Sequence, residues 1–425
     1  MTWRQLAGVW ALGFAYSLCV RRAHGEALSS TPADKAISAA TLARPSSSTE
    51  SSMDVTPPLD VHAFVSQGFI KTNRNNYLVH SQRGSFEFAE AGINFTKELT
   101  DKLRVGLQLF AHDLGPIGNY NAKVDWFYLD YRFWDWLGIR AGRTKIPFGL
   151  YNETSDIDAA RVPILLPQSV YPITNRDYLL AQTGVEAYGL VRLGDAGGLE
   201  YRAYGGTIYL DPSLGASART ATSNLSVPYI VGGRLMWQTP MEGLQAGVSA
   251  QALRVDFDYI LTPEQTVQFQ AAGMLPADFS GPIAYKLPIV LGVGSIEYAH
   301  QDLLVAAEYS RWWAKIEPPL LTTKAKVAND RFYAMASYHV TPWFTPGVYY
   351  SLYYPDSDIR HGRAAYQHDA ALTVRFDLNA HWLLKLEEHY MYGAAGLDPN
   401  LNGGTQLSLL PSNWGVFLAK TTAYF

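Results

Sequence analysis

The chain has 425 residues and a single cysteine, Cys19, so nothing beyond that position can form a disulfide or a thiolate metal site. Charged side chains are scarce, at 17%, against roughly 25% in an ordinary soluble domain. The 34 basic and 38 acidic residues nearly balance, and no basic run points to nucleic acid. Hydrophobic content is 48%, yet no apolar run reaches the length of a membrane-spanning helix, which excludes a polytopic helical membrane protein. Catalytic signatures are lacking as well. There is no G-x-S-x-G, no H-E-x-x-H, no phosphate-cradling loop and no zinc-ligand spacing. No enzyme activity and no cofactor or metal is expected. What the chain does have is 35 glycines, 27 tyrosines and 11 tryptophans, a composition that leans toward β structure and away from disorder.

The N-terminus reads as an export signal over 1–25. Arg4 precedes an uncharged apolar run of 15 residues, 6–20, and Ala23-His24-Gly25 offers a small-x-small cleavage pattern. The run is short for a membrane span, although Arg21 and Arg22 just after it leave an uncleaved anchor as the alternative. Residues 26–58 read as a disordered linker, because 22 of the 33 are Ser, Thr, Ala or Pro and none is aromatic.

From Leu59 the hydrophobic period is two. In 103–112, Leu103, Val105, Leu107, Leu109 and Ala111 oppose Arg104, Gly106, Gln108, Phe110 and His112. The same alternation runs through 303–312, 331–339 and 370–378. Short turns are expected at 97–102, 133–137, 193–198, 238–243, 300–302, 339–343 and 377–381. Longer polar connections are expected near 71–82, 113–122, 148–182, 211–227, 259–285, 316–329, 355–365 and 393–412. Short and long alternate strictly, which gives 16 antiparallel strands. A soluble sandwich has no reason to keep every second connection short, whereas an outer-membrane barrel does. Closure pairs every backbone polar group inside the bilayer, and only every second residue meets lipid. Phe425 ends an amphipathic strand, 414–425, as the signal read by the outer-membrane barrel assembly machinery does. Trp134 with Trp136, Tyr349 with Tyr350, Tyr353 with Tyr354 and Tyr390 with Tyr392 fall where strands meet connections, as aromatic girdles require.

With these residues in place, residues 59–425 resemble the bacterial outer-membrane porins, in particular the group of phosphate-selective porins O and P. The most specific likeness is Tyr128-Leu129-Asp130-Tyr131-Arg132, followed by the segment from Arg140 to Glu153 with its G-R-x-K-x-P-F-G-L-Y-N-E pattern. The resemblance implies an all-β, 16-stranded antiparallel transmembrane β-barrel in the outer membrane of a Gram-negative-type bacterium. It also implies a homotrimer and a third long loop folded inward.

Strand parity assigns the pore-lining residues. Arg104, His112, Arg132, Arg140, Glu186, Arg202, Arg234, Glu308, Arg331 and Arg375 face away from the lipid series, and Arg143 and Lys145 are grouped with them. The 35-residue connection 148–182 is too long and too apolar to be a plain surface loop. Ser155 as N-cap and Asp158 at N3 would start a short helix in it. Asp156, Asp158, Arg161 and Arg176 then either line a constriction or sit on the outer surface of the loop. Phosphate recognition needs many cationic donors, yet 59–425 carries 29 basic against 34 acidic residues. A general diffusion porin for ions and small hydrophilic solutes is therefore expected. An anion- or phosphate-selective porin, a plugged structural barrel and an outer-membrane hydrolase remain as alternatives.

Overall fold

A computed structural model describes residues 58–210, 222–271, 273, 275–316 and 325–425. The expected signal, and the expected linker apart from Pro58, lie outside the described residues, as do 211–221 and 317–324 of two long connections.

Strand follows strand in sequence order. The first four are β1 (Asp60–Thr72), β2 (Ala89–Glu98), β3 (Leu103–Asp113) and β4 (Lys123–Trp134). Next come β5 (Leu137–Lys145), β6 (Ala181–Arg192), β7 (Gly198–Ile208) and β8 (Thr222–Gln238). The third group is β9 (Leu244–Tyr259), β10 (Ile283–His300), β11 (Leu303–Ile316) and β12 (Ala325–Tyr338). The last is β13 (Phe344–Tyr354), β14 (Gln367–Asn379), β15 (Trp382–Gly393) and β16 (Asn413–Tyr424). Each strand pairs antiparallel with its sequence neighbours, and β1 pairs with β16, which closes a 16-stranded barrel. Backbone bonds exchanged between Ala63 and Phe425, at 2.7 and 2.9 Å, carry the closing ladder to the last residue. Among the described residues no edge strand is left to pair with another chain.

The period of two is physical. Along β3, Gly106, Gln108, Phe110 and His112 are buried while Leu109 is exposed. Along β14, Ala371 and Thr373 are buried while Ala370 and Leu372 are exposed. The outer face is a band of Val, Leu, Ile and aromatic side chains, among them Leu129, Val185, Val248, Val305, Val348 and Phe417. Rings gather at the ends of this band, where Trp134 and Trp136 stack with centroids 5.2 Å apart.

Three local expectations are corrected. The turn placed at 133–137 is only Asp135 and Trp136, because β4 runs on through Trp134. The connection after β9 contains a helix, Pro263–Ala271, where a plain loop was expected. Tyr349 and Tyr353 do not join the girdle, since consecutive residues of a strand face opposite ways. Tyr349 is buried and donates to Asp369, and Tyr353 lies under the Arg331 guanidinium.

Leu372 is 56% exposed in the middle of β14. Leu372→Arg is expected to lower stability in a bilayer by about 2–4 kcal/mol, read as the shift in urea unfolding in phosphatidylcholine vesicles.

Candidate functional site

The inner face carries cations that stand opposite one another. Arg202 on β7 and Arg234 on β8 are register partners, and like charges placed so are destabilising. Arg202 Nε donates to Glu186, and Arg234 Nη2 donates to Glu200 at 2.7 Å. Glu153, from the connection between β5 and β6, bridges both arginines, at 3.1 Å to Arg202 and 3.0 Å to Arg234. Two register positions away along β6, Arg140 lies between its partners Asp130 and Glu186 and donates to Asp130 at 3.0 Å.

Across the barrel, Arg375, Lys385 and Lys420 form one register row on β14, β15 and β16. The same connection answers this row too. Asp158 lies 3.0 Å from Lys385 Nζ and 3.5 Å from Lys420 Nζ, and it accepts from Thr422 at 2.7 Å. Lys385 also donates to the Arg161 carbonyl at 2.8 Å, and Arg375 to the Ala159 carbonyl at 2.6 Å. Lys420 has a second acid in Glu90, at 2.5 Å.

Two further anchors are carboxylates of the wall. Glu387 accepts the backbone N–H of Ile164 at 2.7 Å and of Leu165 at 3.0 Å. Glu308 accepts the Leu150 N–H at 2.9 Å and the hydroxyls of Tyr333, Tyr171 and Ser295. Beside them, Arg176 makes a bidentate pair with Asp125 at 2.8 and 2.7 Å, with its guanidinium 4.0 Å from the Phe110 ring centroid. Lys145 and Gln108 both reach Asp156 at 2.6 Å.

The segment that resembled the porins is the root of this connection. Asn152 donates to the carbonyls of Ile146 and Leu179, at 2.9 and 2.7 Å, and ties the two ends of the connection together. Gly149 has φ of 63°, and a Cβ there would collide with the Tyr171 hydroxyl and Glu308, so glycine is required. Tyr151 donates to Glu297 at 2.6 Å.

Asp156 and Asp158 are buried against the wall, not on an outer loop surface. The expected helix starting at Ser155 does not form. Two 3-10 turns, Asn152–Thr154 and Asp158–Ala160, take its place, because the Asp158 carboxylate is held by lysines instead of capping backbone. Arg161 donates within its own segment, to the carbonyls of Ser155 and Ile164. Arg143 shares its register row with Phe127 and Thr183 and donates to the carbonyl of Asp125, the acid that pairs with Arg176, at 2.7 Å. Arg104 and Arg132 are exposed near the short-turn ends of β3 and β4, and Arg104 shares the register row of Glu98 and Asp130. His112 is buried with its ring against Phe110.

Sequence reasoning missed Asp125 and Lys420. A register shift between Gln108 and Leu109 lets Asp125 turn inward beside Trp126, which plain alternation does not give. Lys420 was accessible from the parity of β16. His389 places Nδ1 2.8 Å from Asp369 and Nε2 2.9 Å from Glu387. Both ring nitrogens are thus engaged by carboxylates, leaving neither to activate a hydroxyl.

In the connection, burial alone would raise the carboxyl pKa of Asp158, but Lys385, Lys420 and Arg161 outweigh it and hold it well below the ordinary range. Burial is likewise outweighed at Asp156 by Lys145 and Arg176, and at Glu153 by Arg202 and Arg234.

No family model and no curated sequence matches the chain. Solved structures share its fold. An anion-selective porin from Comamonas acidovorans is 12% identical with a TM-score of 0.53, over 87% of this chain and 99% of its own. The outer membrane channel DcaP of Acinetobacter baumannii is 11% identical with a TM-score of 0.51, over 88% and 99%. OmpT, an outer membrane protein of Vibrio cholerae solved in a trimer form, is 12% identical with a TM-score of 0.50, over 87% and 100%.

Two outcomes follow from the charge pairing. Asp158→Asn leaves Lys385 and Lys420 facing each other and should cost about 3–5 kcal/mol, measured by urea unfolding. Depressed carboxyl pKa values add stability above the unfolded value near about 4, and it is lost as pH falls through the folded values. The stability these three carboxylates contribute, read by urea unfolding, should therefore stay level from about pH 8 to about pH 5 and fall only below about pH 4.

Proposed function

We propose that the chain is an outer-membrane porin, a water-filled channel for passive diffusion of ions and small polar solutes. The observation that carries this reading is the closed 16-stranded wall with an apolar outer band and a charged inner face. Its likeness to solved outer-membrane porins and channels extends over nearly their whole lengths. Bonds from the connection 146–180 to inner-face side chains on widely separated strands support an inward-folded constriction. The short turns would then lie in the periplasm and the long connections outside. A homotrimer is consistent with the trimer form described for OmpT.

Weak ion selectivity fits the local charge balance. Arg140, Arg202 and Arg234 on the β5–β8 wall are met by Asp130, Glu153, Glu186 and Glu200, which leaves little net field among them to favour one sign. Phosphate specificity would call for an excess of free cationic donors at the constriction. A plugged barrel is the second reading, favoured by the same bonds from the connection to so much of the wall.

Planar-bilayer recording tests the proposal. The purified chain should give ohmic steps and a reversal potential near zero in a salt gradient. Strong anion selectivity, abolished by Arg161→Ala and Arg176→Ala, would overturn the weakly selective reading. Absence of any ohmic step would overturn the channel in favour of the plug.

A further inference from the structure

One stretch of the inner wall is not polar. On β9, β10 and β11 the residues Leu253, Val255, Leu287, Ile289, Leu291 and Trp312 line a cavity of about 190 Å³. Opposite them are polar groups of the connection 146–180, Gln168, Ser169 and Asn175. A pore for hydrated ions has no use for such a surface, because it offers passing solutes no hydrogen bonds. Part of the apolar wall is occupied by Val170, Tyr171 and Leu179, which belong to the same hydrophobic cluster. The rest faces the cavity.

Arg331 lies on the wall of this cavity and is 6% exposed. Its Nε donates to Asn329 Oδ1 at 2.8 Å and its Nη1 to the Ser169 carbonyl at 2.7 Å, both neutral partners. The guanidinium is sandwiched 3.5 Å from the Trp312 ring centroid and 4.6 Å from that of Tyr353. Arg140, Arg161, Arg176, Arg202, Arg234 and Arg375 each have a carboxylate within 3.7 Å. Arg331 has no such partner among the described residues. The adjacent acid, Asp330, is taken by Arg360 at 2.6 Å and Tyr309 at 2.7 Å. Asp369, also on the cavity wall, is held by His389 and Tyr349. A buried cation without a counter-charge is costly, and aromatic stacking offsets that cost only in part.

We infer that this cavity binds a small amphipathic monocarboxylate, with the carboxylate on Arg331 and the apolar body against the β9–β11 wall. A carboxylate restores the missing counter-charge with the geometry guanidinium favours. The aliphatic wall and Trp312 take a ring or short alkyl chain. The cavity is smaller than the roughly 300 Å³ at which pockets begin to hold drug-sized ligands, so the occupant is small. The transport meaning of the site rests on the channel reading above, whereas binding itself does not.

The test uses sodium benzoate on the full chain in detergent, followed by isothermal titration calorimetry, with benzyl alcohol as the neutral analogue. Saturable benzoate binding is expected, weakened at least tenfold by Arg331→Gln and by Leu287→Asn, with no saturable binding of benzyl alcohol. The second variant leaves the Ser169 bond intact, so a folding failure of the first does not decide the matter. Absence of benzoate binding, equal binding of benzyl alcohol, or unchanged affinity in Leu287→Asn overturns the site. Single-channel recording on the same preparation separates the two readings. Ohmic steps without benzoate binding retire the site and keep the porin, whereas binding without ohmic steps retires the channel and keeps the site.

Discussion

Cations placed opposite one another on neighbouring strands are the constraint on which the inner architecture depends. Arg202 faces Arg234, and Arg375, Lys385 and Lys420 share a row. Left alone, each set would repel across a strand pair. The wall supplies part of the relief through Glu186, Glu200 and Glu90. The remainder comes from one connection, which delivers Glu153 to the first set and Asp158 to the second. The position of that connection is therefore set by electrostatics at two opposite walls at once. Its apolar residues, Leu166, Val170 and Tyr171 among them, then pack on the wall between. Removing one carboxylate would release one anchor of the connection and leave buried charge uncompensated, which is why such pairs are costly to break.

The closed ladder makes this arrangement possible. With every strand paired on both sides, backbone polar groups are satisfied within the wall, and side chains are sorted only by parity. Apolar residues take the outer series and polar residues the inner one. The inner series holds many charges because most find an opposite within reach, whereas Arg331 meets neutral partners and aromatic rings. The β9–β11 wall departs from this sorting, since aliphatic side chains face inward there, and so do β1 and β16 with buried Ile70, Val416 and Leu418.

The barrel was legible because its signal is local and repeated. Leu103 to Ala111 and Ala370 to Leu378 alternate visibly, and each short turn is written within a few residues. The placing of Arg140, Glu186, Arg202, Arg234, Glu308 and Arg375 on one face came from parity alone. What parity could not carry was long-range or irregular. Asp125 turns inward through a register shift, Tyr349 and Tyr353 had to be separated from their outward neighbours, and Asp158 gave up a capping role to lysines more than 200 residues away in sequence. The pairing of Glu387 with the Ile164 and Leu165 amides likewise has no local signature.

The central claim is that the connection between β5 and β6 is held against the inner wall as firmly as the strands themselves. Amide hydrogen exchange at Ile164 and Leu165, measured in lipid vesicles, tests it most directly. Protection comparable with the amides of β14 and β15 is the predicted result. Exchange at the rate of an exposed loop would contradict the account.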